Sequence, residues 1–204
     1  MLNGWTLPQS IKLGEIDYKI NTHYGAVLDL FAALNDPECF GDSEEEKKEN
    51  HAQLIFEIMI PDCYNIPREY WQEAINKVCE FIDMGIKDDS SRKHIKTMDW
   101  EQDAPILIPA INKVLGTEIR SVEYMHWWTF LGAYMEIKES LFSNVVYIRQ
   151  KKAKNKKLEK NELEFYKENK HLIEFEQKTK RSEEEQKALD DYFYGYKKNK
   201  RASN

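Results

Sequence analysis

The chain has 204 residues, of which 41% are apolar, 12% aromatic and 32% charged, with 8 glycines and 6 prolines. Its length allows one domain with a real core, its aromatic content excludes a wholly disordered chain, and its scarcity of turn residues excludes an all-β fold in favour of helices. The net charge of −6 is unevenly divided: residues 1–150 carry 14 basic against 25 acidic side chains, and residues 151–204 carry 16 against 11.

Such a chain, acidic in front and basic behind, suits head-to-tail self-association or an acidic partner for its rear, although two solvated surfaces explain it as well. Cys39, Cys63 and Cys79 form no CxxC pair; an odd number of spaced thiols fits reduced cysteines rather than a disulfide framework or a zinc knuckle. The N-terminal residues lack the basic and apolar regions of a signal peptide, and no apolar run is long enough for a bilayer.

Residues 11–20 alternate apolar and polar side chains on both sides of Gly14-Glu15, which predicts a β-hairpin with a two-residue turn. Thr22 is placed to cap a helix over 23–34 with Val27, Leu28, Phe31 and Leu34 on one face. Ser43 and three glutamates open a second helix, which carries Leu54, Ile55, Ile58 and Met59 and ends at Pro61. Pro67 opens a third, with Trp71, Ala74, Val78 and Phe81 at helical spacing and Gly85 at its end.

Residues 86–98 are polar and unpatterned, as in a loop. Asp99 then precedes a stripe of Trp100, Ala104, Leu107, Ile111 and Leu115, with Pro109 expected to kink the helix. Ser121 is predicted to begin a helix bearing Tyr124, Trp127, Trp128, Leu131 and Tyr134, joined by a short break to a second one carrying Phe142, Val145 and Ile148. Two helices so linked predict an αα-hairpin. Beyond Arg149 the sequence turns to charge, and Ser182 starts a last helical pattern with Leu189, Tyr192, Phe193 and Tyr196. The fold class is therefore mainly α: a helical body with a small N-terminal β-hairpin over 1–150, and a charged helical C-terminal arm over 151–204.

No phosphate-binding glycine loop, nucleophile elbow or HExxH is present. The acidic clusters fall at helix starts, which accounts for them without a metal. His126, in the only His-Trp-Trp of the chain, is a core or capping residue by type rather than a general base. No catalytic, cofactor-binding or metal-binding residue is predicted, and no cofactor. The basic run Arg149–Lys160 could bind nucleic acid, but the chain is acidic overall and its aromatics are not arranged as stacking platforms. Trp127 and Trp128, as helix neighbours about 100° apart, cannot share one face. Either one faces the core and the other a partner, where tryptophan is enriched, or both belong to a broad buried face. The predicted interaction residues are Trp127, Trp128, Leu131, Tyr134, Arg149, Lys151 and Lys152.

The segment LPQSIKLGEIDYKINTHY, the Trp100-Glu101-Gln102-Asp103 start, Tyr124-Met125-His126-Trp127-Trp128-Thr129-Phe130, and Ile148-Arg149-Gln150-Lys151-Lys152 running into LEKNELEFYKENK span almost the whole chain. In these the sequence resembles the bacteriophage gene-product-fifteen family of siphophages and prophages. The resemblance implies a non-enzymatic role in tail morphogenesis, from genes lying between those of the tail tube and tape measure proteins. That is the place of tail assembly chaperones, which coat the aggregation-prone tape measure and leave as tube subunits polymerise. The implied partners are the tape measure protein, the tail tube protein and further copies of the chain, with no nucleic acid and no membrane. The implied location is the host cytoplasm, with absence from the mature virion. The alternatives are a structural tail or connector protein kept in the virion, and a nucleic-acid-binding regulator using residues 149–160.

Overall fold

The computed structural model describes residues 5–37, 43–86 and 95–176. Strands β1 (Ser10–Leu13) and β2 (Ile16–Lys19) pair antiparallel, with Ile11 opposite Tyr18 and Leu13 opposite Ile16. Gly14 makes the turn at φ +58°, and a Cβ there would stand 2.9 Å from the Tyr70 hydroxyl. The positive φ favours glycine there, and any larger residue would also have to displace the Tyr70 ring tip. Ile11, Leu13 and Tyr18 are buried, and β1 lies against α3, defined below. A two-stranded hairpin is marginal alone; here the helical body supports it.

Helix α1 (Tyr24–Leu34) packs on α2 (Glu44–Met59). The Ser43 hydroxyl accepts from the Glu46 amide at 3.1 Å, and Glu44, Glu45 and Glu46 occupy the first turn, as predicted. Val27 of α1 and Met59 of α2 are fully buried, as predicted; Leu30 and Phe56 are buried beside them, while Leu28, Phe31, Leu34, Leu54, Ile55 and Ile58 are half-buried. Pro67 leads into a 3-10 turn, Arg68–Tyr70, and then α3 (Trp71–Ile82). Ala74, Val78 and Phe81 are its buried side. Its end is a Schellman turn: Met84 and Gly85 take φ +55° and +69°, the Gly85 amide donates to Glu80 O at 2.7 Å, and the Met84 amide donates to Phe81 O at 3.1 Å.

Helix α4 (Ala104–Leu115) continues past Pro109 and stops at Gly116, φ +69°. The carbonyl that Pro109 leaves without its helical donor is that of Pro105, in the first turn. Helix α5 (Trp127–Met135) begins six residues later than the periodicity suggests. The backbone before it is engaged elsewhere: the Ile119 amide donates to the Asn112 side chain, the Arg120 amide to Glu118, and Tyr24 and Trp127 exchange bonds with Met125 O and Thr22 O. Helix α6 (Leu141–Ala153) opens with a reciprocal Ser140–Ser143 capping box.

The expected α5–α6 hairpin is not the main packing unit. The two helices meet at Tyr134 and Phe142, ring centroids 6.0 Å apart, but α5 packs chiefly on α1 and α4, and α6 on α4 and α8. Short helices α7 (Lys160–Glu168) and α8 (Lys170–Ile173) return the chain to the body. A main core centres on Phe81, Trp127, Val78 and Ile111. A smaller one joins Val145 and Ile148 of α6 to Ile173, with Leu158, Phe165 and Leu172 around it. Residue 151, the expected start of the arm, falls inside α6. Cys39 and the predicted helix from Ser182 lie outside the described residues.

Candidate functional site

The His-Trp-Trp segment is first a structural junction. His23 and His126 form an antiparallel bridge between the starts of α1 and α5. Each caps its own helix: His23 Nδ1 accepts from the Gly25 amide at 3.0 Å, and His126 Nδ1 accepts from the Trp128 amide at 3.1 Å. His23, not Thr22, is thus the cap of α1; the Thr22 hydroxyl instead meets the Tyr124 hydroxyl at 2.7 Å. Because His126 Nδ1 accepts, its Nε2 carries the proton donated to Pro8 O at 2.9 Å. His126 is buried, and both ring nitrogens are engaged in this way. It is a capping residue, in keeping with its type.

Both tryptophans are buried, Trp127 at 1% and Trp128 at 5% exposure. Of the two alternatives, a ring facing a partner and a broad buried face, the buried face holds. Adjacent helical positions do diverge, but both indoles reach the same target. Trp127 Nε1 donates to Ile82 O and Trp128 Nε1 to Phe81 O, each at 2.8 Å. These are carbonyls of the last turn of α3: Ile82 O lies past the last helical donor, and Phe81 O also accepts from the Met84 amide of the Schellman turn. The pair closes the end of α3 while filling the core on either side of it.

Arg149 is also internal. It is 4% exposed, and its guanidinium forms a bidentate pair with Asp103 at 2.6 and 2.8 Å. Its other bonds go to Ile173 O at 2.9 Å, Thr97 O at 3.2 Å and Leu172 O at 2.6 Å. Five N–H donors thus meet five acceptor contacts, and the Phe175 ring covers the group at 4.1 Å. Lys151 pairs with Glu162 at 2.5 Å, and Lys152 with Glu174 and the Tyr166 hydroxyl. The residues expected to recruit a partner here hold α6, α7 and α8 together. Lys154, Lys156, Lys157 and Lys160 of the same basic run stay exposed.

Of the predicted interaction residues, buried Leu131 and half-buried Tyr134 line recesses that open to solvent. Leu131 lines an apolar groove of about 560 Å³ whose other walls are Phe31 of α1, Ile82, Asp83 and Ile86 at the end of α3, Trp100, and Trp127 and Met135 of α5. Tyr134 lines an adjoining recess of about 280 Å³ with Ile137, Phe142, Val146 and Tyr147, and Met135 borders both. Met135 and Ile86 are more than half exposed. Asp83 is the single charged residue among the groove's lining residues, and burial pushes its carboxyl above the ordinary range. The helical stripes of the sequence include Phe31, Trp100, Trp127 and Leu131, but a stripe does not reveal where it is left uncovered. Ile86 was read as loop.

Electrostatics elsewhere are also internal. The Arg120 side chain and amide, with help from Asn112, hold the Glu118 carboxyl down to about 2. Burial pushes Asp99 up, but Lys96 and the amides of Gln102 and Glu101 outweigh it and leave the group below its usual range. A carboxyl depressed in the fold contributes stability above its unfolded pKa, about 4.3 for Glu, and loses it as pH falls through the folded value. Glu118→Gln is therefore expected to flatten the fall of the urea midpoint between about pH 4.3 and pH 2. An unchanged acid slope would remove Glu118 from this role.

Among the described residues no three His, Cys, Asp or Glu side chains form a group able to hold a metal, and no helix is long and apolar enough to cross a membrane. No curated protein and no solved structure matches the chain. The family described as Bacteriophage Gp15 protein matches residues 5–175, which include the hairpin, the His-Trp-Trp junction and the Arg149 clamp. The chain belongs to the bacteriophage Gp15 family, a structural or assembly family of phages that is not known as enzymatic.

Proposed function

We propose that the protein is a tail assembly chaperone that binds the tape measure protein through the groove between α1, the end of α3, Trp100 and α5. The observation that carries this reading is the groove itself. It is lined by large apolar side chains and opens to solvent beside exposed Met135 and Ile86. An apolar groove on a helical body takes the apolar stripe of an amphipathic helix, read as anchors at i, i+3, i+4 and i+7. A long helical tape measure offers such stripes repeatedly, so several copies of this chain could line up along it. Methionine at the rim suits a series of non-identical stripes, because its flexible thioether adapts to different shapes.

The tail tube protein enters as the second partner, displacing the chaperone as it polymerises. That exchange takes place in the host cytoplasm, and the chaperone is left out of the finished particle. Co-expression tests the reading: the tape measure is expected in the soluble fraction with this protein and in the pellet without it. Equal insolubility in both cultures would remove the chaperone role. A structural tail or connector protein would instead be found by mass spectrometry of purified particles.

A further inference from the structure

We infer that the outer edge of β2 pairs antiparallel with the same edge of a second copy of this chain, joining two hairpins into one continuous sheet. Four observations carry this. The first is an open row of backbone groups. The sheet has two strands, and β1 covers only one side of β2. In an antiparallel pair, hydrogen-bonded and non-bonded residue pairs alternate. The Ile20 amide donates to Gln9 O at 3.1 Å, so Ile11–Tyr18 and Leu13–Ile16 are the further bonded pairs of this register. The amides and carbonyls of Asp17 and Lys19 therefore point away from β1. Among the described residues nothing bonds them. The outer edge of β1 is already engaged, since Lys77 Nζ donates to Lys12 O.

The second is charge. Asp17 and Lys19 are exposed, and neither side chain joins an ion pair among the described residues. A two-fold axis at Tyr18 places Asp17 opposite the partner's Lys19, and Lys19 opposite the partner's Asp17. All four residues turn their backbone groups outward, so both pairs are of the hydrogen-bonded kind. A shift of two residues sets Asp17 against the partner's Asp17, or Lys19 against the partner's Lys19, and like charges oppose either. A shift of one sets an outward backbone group against an inward one and mixes the two faces. Charges on an edge ordinarily keep a second strand away; here they select a single register.

The third is the apolar side chain left at this edge. Ile16 lies on the same face as buried Tyr18, by the two-residue period of a strand, yet it is 58% exposed. In the selected register it stands opposite the partner's Ile20, and pairing covers it.

The fourth is length. The open edge closes at Asn21, whose amide donates to Met59 O at 2.8 Å. The partner's β2 runs out at the same place. Its first residue, Ile16, is opposite Ile20, and its Gly14-Glu15 turn comes next. The joined sheet also exceeds the two strands that are marginal by themselves. Its contact is small, so the association is weak and depends on concentration. A two-fold contact closes on itself and gives dimers rather than filaments. None of this rests on the tape measure assignment.

Sedimentation equilibrium of the full chain tests the inference. The wild type is expected to show a monomer–dimer equilibrium that weakens with added salt. Asp17→Lys and, separately, Lys19→Asp are expected to weaken the dimer about tenfold, since each sets like charges opposite one another in both symmetric pairs. Mixing the two variants in equal amounts is expected to restore pairing, because both pairs then join opposite charges. The double variant Asp17→Lys/Lys19→Asp is expected to pair with itself for the same reason. Both positions are exposed, and an unchanged circular dichroism spectrum verifies the fold of each variant. A wild type that stays monomeric up to about 1 mM, a dimer indifferent to both single variants, or a mixture no more associated than its components would overturn the inference.

Discussion

Arg149→Met is expected to destabilise the protein by about 3–5 kcal/mol, because it leaves the Asp103 carboxylate buried without its partner. Asp103 is 1% exposed. After the substitution its oxygens retain one donor, the Asp99 amide at 2.9 Å. The carbonyls of Leu172, Ile173 and Thr97 also lose their bonds to the guanidinium. A loss of this size is a large fraction of a typical domain's stability. Arg149→Lys recovers little, since an ammonium has three donors and no planar fork to match the carboxylate. The double variant Arg149→Met with Asp103→Leu is expected to regain much of the loss, because a buried ion pair is often replaceable by apolar side chains of similar size. Urea midpoints of the four proteins measure this. A single-variant midpoint equal to that of the wild type would show that the clamp is not a source of stability.

Trp127→Ala is expected to cost about 3–5 kcal/mol, in the range for truncating a buried aromatic residue. The indole is enclosed by Phe31, Trp100 and Phe130, with centroids 5.5 to 6.0 Å away. Trp127→Phe separates the two parts of the effect. It keeps most of the apolar contact but leaves Ile82 O without the indole N–H, and the loss is expected to be about 1–3 kcal/mol. Trp128→Phe is expected to cost less, because Phe81 O keeps the Met84 amide as a donor. If the phenylalanine variants lose as much as Trp127→Ala, the hydrogen bonds to the end of α3 outweigh the packing, against this account.

The fold was legible where its causes are local. The Gly14-Glu15 turn follows from alternation and a glycine, and the start of α2 follows from Ser43 and three glutamates. The mainly helical class follows from periodicity. What the sequence hid depends on distant partners. The start of α5 could not be found from periodicity, because the backbone of residues 119–127 bonds to Asn112, Glu118, Thr22 and Tyr24, up to 105 residues away. The pairing of α5 with α1 and α4 rather than α6 is likewise a matter of tertiary packing.

The site residues divide along the same line. Arg149, Lys151 and Lys152 sit in a basic run, and a run alone does not disclose that Asp103, Glu162 and Glu174 lie opposite. The alternative of an exposed tryptophan fails for a related reason. Divergence on one helix does not imply exposure when α3 ends against both indoles. Leu131 and Tyr134 do line open recesses, but their neighbours Phe31, Ile86 and Met135 come from three separate segments.

The central claim is that the groove receives a tape measure helix, and co-purification tests it most directly. Tagged wild-type protein and the Met135→Glu/Ile86→Glu double variant are each expressed with the tape measure, and the retained tape measure is quantified. The wild type is expected to retain it and the variant to lose at least about tenfold, with both proteins melting at the same temperature. Equal retention by an equally stable variant would contradict the assignment of the groove.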